Sequence, residues 1–210
     1  MIDNSILISR IELLNKNKRT YALYTDDTFL TEISEDTLVH FAISKNSYIE
    51  KKTFLEILHF NNLNNCLSKA YDYLQRRPHL QSELQQKLKS KKYDKKIIDE
   101  TIAELNKRNY LNDEEFIALF IRENKMNQRS GPLLIKKKLM EKGAEAECVN
   151  DMLEKGFSES EQIEIIDKLV SKKTKIPVDE LESKEKQKLF RFLLSRGFEW
   201  SVIKTAFSNK

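Results

Sequence analysis

The sequence predicts a mainly α protein: three tandem three-helix repeats forming an elongated, curved array, with a small N-terminal β-meander plus helices. Three observations predict this class. The 210 residues are 33% charged and 40% hydrophobic, with four glycines and three prolines, a mixture rich in helix formers and poor in turn formers. A block of apolar residues recurs along the chain at offsets of 51 and 54 residues. Period-two alternation, the mark of strands, is confined to the N-terminal part.

The elements follow in chain order. Ile11 and Leu13, then Tyr21 and Leu23, then Phe29, Thr31 and Ile33 alternate with neighbours of different polarity. NKNKR at 15–19 and DD at 26–27 supply the turns, so a three-stranded antiparallel meander is expected. Ser34 is placed to cap a short helix through Leu38, Phe41 and Ile43, and another helix carries Phe54, Leu55 and Leu58. Such a head, residues 1–60, is too small to be stable without packing on something else. It carries no visible chemistry.

The rest divides into units 64–112, 113–157 and 158–210. HLQSELQQKLKSKKYDKKIIDETI (79–102), LLIKKKLMEKGAEAECVNDML (133–153) and KLFRFLLSRGFEWSVIKTAF (188–207) align without a gap. Leu84, Ile135 and Leu189 coincide, as do Leu88, Leu139 and Leu193. Lys92, Gly143 and Gly197 follow, then Tyr93, Ala144 and Phe198, then Ile98, Val149 and Ile203, then Ile102, Leu153 and Phe207. This is an internal repeat. The apolar pair four apart marks a buried helix stripe. Glycine supplies the left-handed residue that ends the helix, a position where Lys92 costs about 1 kcal/mol. The next apolar residue fits a hydrophobic staple to the one five positions on, with Asp94 as a good cap. A further helix precedes each pair: one with Leu67, Ala70, Tyr71 and Leu74, one capped by Asn112 with Glu115, one by Ser158 with Glu161. Proline in each connection separates first helix from second.

Charge and motifs limit the function classes. The net charge is +4, yet residues 76–96 hold eight basic side chains against Glu83 and Asp94, a local stripe able to attract polyanions. No phosphate loop, dinucleotide fingerprint, paired-cysteine zinc site or metalloprotease helix appears. His40, His59 and His79 are scattered, and Cys66 and Cys148 sit in predicted helices beside apolar residues. No enzyme, metal or cofactor is expected. Without a signal peptide or membrane-length apolar run, the cytoplasm is the expected compartment. Trp200 fits either core or a partner contact. Lys142 matches Lys91 and Arg196 in the other copies, one residue before the helix terminator, where a cation complements the helix dipole. Lys136 and Lys137 match Gln85 and Gln86 in one copy and Phe190 and Arg191 in the other, so their doubled charge belongs to the middle unit alone.

YLQRRPHLQSELQQKLKSKKYD (73–94), LNKRNYLNDEEFIALFIREN (105–124) and RSGPLLIKKKLMEKGA (129–144) resemble the RecX family, regulators of the RecA recombinase. The resemblance covers the three-helix units, and the β-containing head is similar to that of longer family members. Departures are Lys92 where glycine is common, Asn109 before Tyr110, and a more divergent third unit. The resemblance implies a non-enzymatic protein that lies in the groove of the RecA–DNA filament and touches neighbouring RecA subunits. Family members usually reduce ATPase and strand exchange, or block filament growth. The expected partners are the RecA filament and, weakly, single-stranded DNA, with no membrane, the chain acting as a monomer. Arg76, Arg77, Lys87, Arg129, Lys136 and Lys137 are the candidates for RecA or DNA binding, being at turns or on polar sides of the first two units. Arg76 and Arg77 equally suit a helix-capping role before Pro78. The alternative is a module reading duplex DNA directly as a transcriptional regulator, its post-turn helix in the major groove. Those helices begin DKK, EAE and EWS, poor in the Arg, Asn and Gln that read base edges.

Overall fold

The computed structural model describes residues 4–208. These form two compact units: residues up to Arg76 with Gln85–Arg108, and Arg77–Leu84 with the residues from Asn109 on.

In the first unit, β2 (Arg10–Asn15), β3 (Thr20–Thr25) and β4 (Thr28–Ser34) form the expected meander in the order β2-β3-β4. Its register places Leu23 opposite both Ile11 and Thr31. Two strands were not foreseen: β1 (Ser5–Ile8) pairs antiparallel with β5 (Ser47–Glu50). Ser34 caps α1 (Glu35–His40), its Oγ accepting from Thr37 N–H, and the helix stops short of Phe41 and Ile43. The helices expected around 54–58 and 64–76 are one continuous helix, α2 (Lys51–Leu74). Buried Asn61 in α2 fixes the meander to it. Its Oδ1 accepts from Ser34 N–H at 3.0 Å and Thr37 Oγ1 at 3.2 Å, and its Nδ2 donates to Glu32 C=O at 3.1 Å. Ile8, Leu23, Ile33, Ile43 and Ile57 fill the space between, so the small sheets gain the packing they need.

Eight further helices follow: α3 (Gln81–Ser90), α4 (Lys95–Lys107), α5 (Asp113–Met126), α6 (Pro132–Glu141), α7 (Ala146–Gly156), α8 (Glu159–Lys173), α9 (Ser183–Ser195) and α10 (Trp200–Ser208). A 3-10 turn, Val178–Glu180, precedes α9. The same packing recurs three times, first helix against third: α2 on α4, α5 on α7 and α8 on α10. Every matched apolar residue is buried except Tyr93 and Phe207, which are partly buried. The three helix terminators are all left-handed, with φ of 65° at Lys92, 82° at Gly143 and 85° at Gly197. Asn109 ends α4 in the same way at 57°. Asn112 caps α5, and Ser158 with Glu161 forms a complete capping box on α8. Asp94 occupies the N-cap of α4, but its side chain makes no capping bond. Tyr93 instead secures that end, its hydroxyl donating to Asn65 C=O at 3.1 Å.

Within the second unit the repeats stack by a rule. The turn after α9 docks on the start of α6: Gly131 N–H donates to Arg196 C=O at 2.7 Å and Leu133 N–H to Gly197 C=O at 3.0 Å. These are donors that an isolated helix N-terminus leaves unpaired. One repeat earlier, Ser82 in α3 occupies the position of Leu133, and its Oγ donates to Gly143 C=O at 2.8 Å. Each turn thus covers the start of the preceding unit's second helix.

Candidate functional site

The six candidate cations take different roles. Arg77 is committed within the second unit. Its guanidinium pairs with Glu83, one nitrogen bonding Oε2 at 3.1 Å and Pro78 C=O at 2.9 Å, the other bonding Oε1. Buried His79 lies 3.9 Å from the same carboxylate, and Lys142 Nζ reaches it at 4.0 Å. Arg77 therefore does not cap α2; it joins Lys142 and His79 around one acid. Burial alone would raise the Glu83 pKa. The Arg77 hydrogen bond and the charges of Arg77, Lys142 and His79 win instead, lowering it from 4.5 to about 2. The Lys142 cation expected to complement a helix dipole has this second use. Beside the cluster, Pro78, Phe116, Leu119 and Phe120 line a groove of about 310 Å³ rimmed by Arg77 and Lys142.

This cluster makes a pH prediction. Because the folded pKa of Glu83 is depressed, its contribution is complete above pH about 4.5 and disappears as pH falls to about 2. Glu83→Gln is expected to cost about 1–3 kcal/mol near neutrality, since it leaves partly buried cations short of a partner. Urea midpoints of both proteins across that window check this. A difference that stays constant with pH would rule out the ion pair as its source.

The other candidates are less committed. Lys87 is half-buried, with Nζ 5.2 Å from the Tyr73 ring centre, on which Lys69 also bears at 5.5 Å. Arg76 and Arg129 are exposed at helix ends. On α6, Lys137 is exposed and 3.9 Å from Glu141, a pair too solvated to hold it firmly. Lys136, half-buried, lines a groove of about 430 Å³ with Pro132, Asn150, Glu154, Gln162 and Glu199. Lys136 and Lys137, adjacent on α6, therefore point about 100° apart and meet different environments.

The histidines each have a neighbour that accounts for their position. His59 Nε2 pairs with Glu100 at 2.8 Å, His40 stacks on Phe60 with ring centres 4.3 Å apart, and His79 Nδ1 lies 2.9 Å from Arg77 C=O. Burial raises the Cys66 pKa, and desolvation with nearby carboxylates raises that of Cys148, the opposite of what activates a thiol. Among the described residues no cluster of three His, Cys, Asp or Glu could hold a metal ion, and no helix is long and apolar enough to cross a membrane.

The fold decides between the two readings of Trp200. Trp200 starts α10 and is 59% exposed, beside partly buried Phe190 and exposed Leu194. A signal existed. Phe190, Leu194 and Trp200 occupy repeat positions held by Lys136, Met140 and Ala146 in the middle unit and by Gln85, Lys89 and Lys95 in the first. None belongs to the buried stripe.

Comparison with known proteins agrees with this architecture. Residues 66–105 match the model for the first three-helix domain of RecX, and residues 159–207 that for its third. Regulatory protein RecX of Streptococcus uberis is 32% identical over 95% of this chain and 76% of its own length. Regulatory protein RecX of Bacillus subtilis is 28% identical over 95% of this chain and 75% of its own. A crystal structure of regulatory protein RecX superposes with a TM-score of 0.69 at 24% identity, covering 97% of this chain and 99% of that one. The structure of RecX from Lactobacillus salivarius gives 0.64 at 23% identity, over 70% of this chain and 96% of that one, so both show a shared fold. With buried stripes, left-handed terminators and stacked turns arranged in three-helix units, and with a relative 32% identical over 95% of this chain and 76% of its own length, the chain belongs to the RecX family of regulatory proteins.

Proposed function

We propose that this protein is a non-enzymatic regulator that lies in the groove of the RecA–DNA filament and lowers its ATPase, strand exchange or growth. The carrying observation is periodicity: one buried stripe, repeated three times, holds three helix–turn–helix blocks that display different polar faces. A filament offers the same surface at regular steps. Linked modules engaging successive subunits bind more tightly together than singly. Helices of 10 and 13 residues, such as α3 and α4, span about 15–20 Å each. Exposed Arg76, Arg129 and Lys137, with half-buried Lys136, bring cations to phosphates or acidic loops. Arg77, occupied by Glu83, is the weakest of the six for this role.

The test is RecA ATPase on single-stranded DNA as the protein is titrated in. With both Lys136→Glu and Lys137→Glu, half-inhibition is expected to need about tenfold more protein, at an unchanged thermal midpoint. Unchanged inhibition would remove these two lysines from the interface. Co-sedimentation with RecA–single-stranded DNA, against a duplex shift assay without RecA, distinguishes this reading from direct duplex recognition.

A further inference from the structure

We infer that the outer face of α9 with Trp200 is a second, separate docking site, taking an acidic segment of another protein that carries an apolar or aromatic anchor. Lys186, Gln187, Phe190, Arg191, Leu194 and Trp200 line a pocket of about 500 Å³ there. The Phe190 and Trp200 rings lie 4.6 Å apart at 36°, and Phe207 braces Phe190 edge-on at 4.8 Å. The anchor wall is therefore held in place from behind, while Trp200 and Leu194 stay 59% and 42% exposed. Covering them gains roughly 25 cal/mol per Å² of apolar area. Trp and Arg are also the side chains that most often dominate protein interfaces.

Two observations identify the occupant. The charged side chains lining the pocket are Lys186 and Arg191, and among the described residues no carboxylate lines it, so complementarity favours an anionic segment. Lys186 is oriented by a 2.9 Å bond from its Nζ to Asp179 C=O, which still leaves donors for a ligand. The second observation is the repeat itself. In the middle unit, Pro132, Leu133 and Lys136 line a groove with Glu199 and Val202 of the following unit. Lys186, Gln187 and Phe190 hold the same repeat positions in the third unit. This face corresponds to the one on which units stack in the middle unit, with aromatic Phe190 and Trp200 where that unit has Lys136 and Ala146 and the first has Gln85 and Lys95. The pocket is shallow and open, its mostly apolar surface formed around Phe190, Leu194 and Trp200, so an anchor side chain would lie against the rings rather than insert between them.

Trp200 is the one tryptophan in the sequence, so its emission reads the site directly, without RecA or DNA. The probe is a synthetic helical peptide of about three turns, glutamate-rich with one phenylalanine and two leucines on one face. A saturable blue shift is expected. It should be about tenfold weaker for a peptide with those three anchors replaced by alanine, and for one with lysine in place of glutamate. Arg191→Glu should weaken binding of the original peptide to a similar degree while preserving the far-ultraviolet spectrum. Trp200→Ala should abolish the anisotropy change of the same peptide carrying a dye. Equal response to the alanine or lysine peptides would overturn the proposal, as would no response. So would a shift produced only by oligothymidylate, or only by raising protein concentration, which would assign the face to nucleic acid or to a second copy. Because no filament is present, failure here leaves the RecA reading untouched.

Discussion

Gly197→Ala is expected to destabilise the second compact unit by about 3 kcal/mol or more, from two separate effects. At φ 85° any side chain is strained, by about 1–2 kcal/mol. An added Cβ would also sit 2.5 Å from Leu134 Cβ and 2.8 Å from Leu134 Cα, and closer still to Leu134 N. These neighbours are helix backbone and the Cβ fixed to it, which cannot swing aside. Relief requires the turn to lift from α6, breaking the bonds from Gly131 N–H and Leu133 N–H to Arg196 and Gly197. Leaving such donors unpaired costs about 1–3 kcal/mol. Gly143→Ala is the internal control. It has nearly the same φ, 82°, but its Cβ would meet only the Ser82 side chain, with Oγ at 2.5 Å. That side chain can rotate at the loss of its bond to Gly143 C=O, so the cost should exceed the backbone strain by only about 0.5–1.5 kcal/mol and stay below that of Gly197→Ala. Urea denaturation of the two variants gives the comparison. Gly143→Ala proving the more damaging would refute the docked turn.

Gly197 also marks where sequence legibility ends. Its left-handed conformation was readable from its place after an apolar helix stripe, and Lys92 and Asn109 adopt the same conformation without being glycine. Its contact with Leu134 was not readable, because nothing local specifies which helix a turn will meet. The same division holds elsewhere. The meander showed because its strands alternate over six or seven residues. β1 and β5 did not, being four residues each and paired across some forty intervening positions. The break expected between the head and the first unit falls inside α2. In the fold Asn61 is buried, and its three hydrogen bonds to the β4–α1 corner outweigh propensity. At the site, local charge density identified Arg77 but not its commitment to Glu83 and, through it, to Lys142. The sequence left Trp200 between core and a partner contact. Its exposure had to come from the fold.

The other large effect is expected from Leu139→Ala, at about 2–5 kcal/mol. Leu139 is fully buried in the cluster that runs from Leu80 through Ile117, Ile135 and Val149 to Phe198 and Ile203. It also ends its helix: its C=O accepts from Ala144 N–H at 3.0 Å, closing the turn around Gly143. Alanine keeps that backbone bond but leaves a cavity bounded by helices from two stacked repeats, which cannot both close in on it. The size of the loss depends on how far those helices relax. The position can be compared with its own repeats, because Leu88 and Leu193 are equally buried. Leu193→Ala should act on the same compact unit, and the double variant should fall short of or exceed additivity, since both residues share one core. Leu88 belongs to the first compact unit. Leu88→Ala should therefore raise hydrogen exchange chiefly in α2 and α4, and Leu139→Ala chiefly in α5 to α7. Identical exchange patterns from the two variants would show that the units unfold as one, and the independence of their cores would have to be given up.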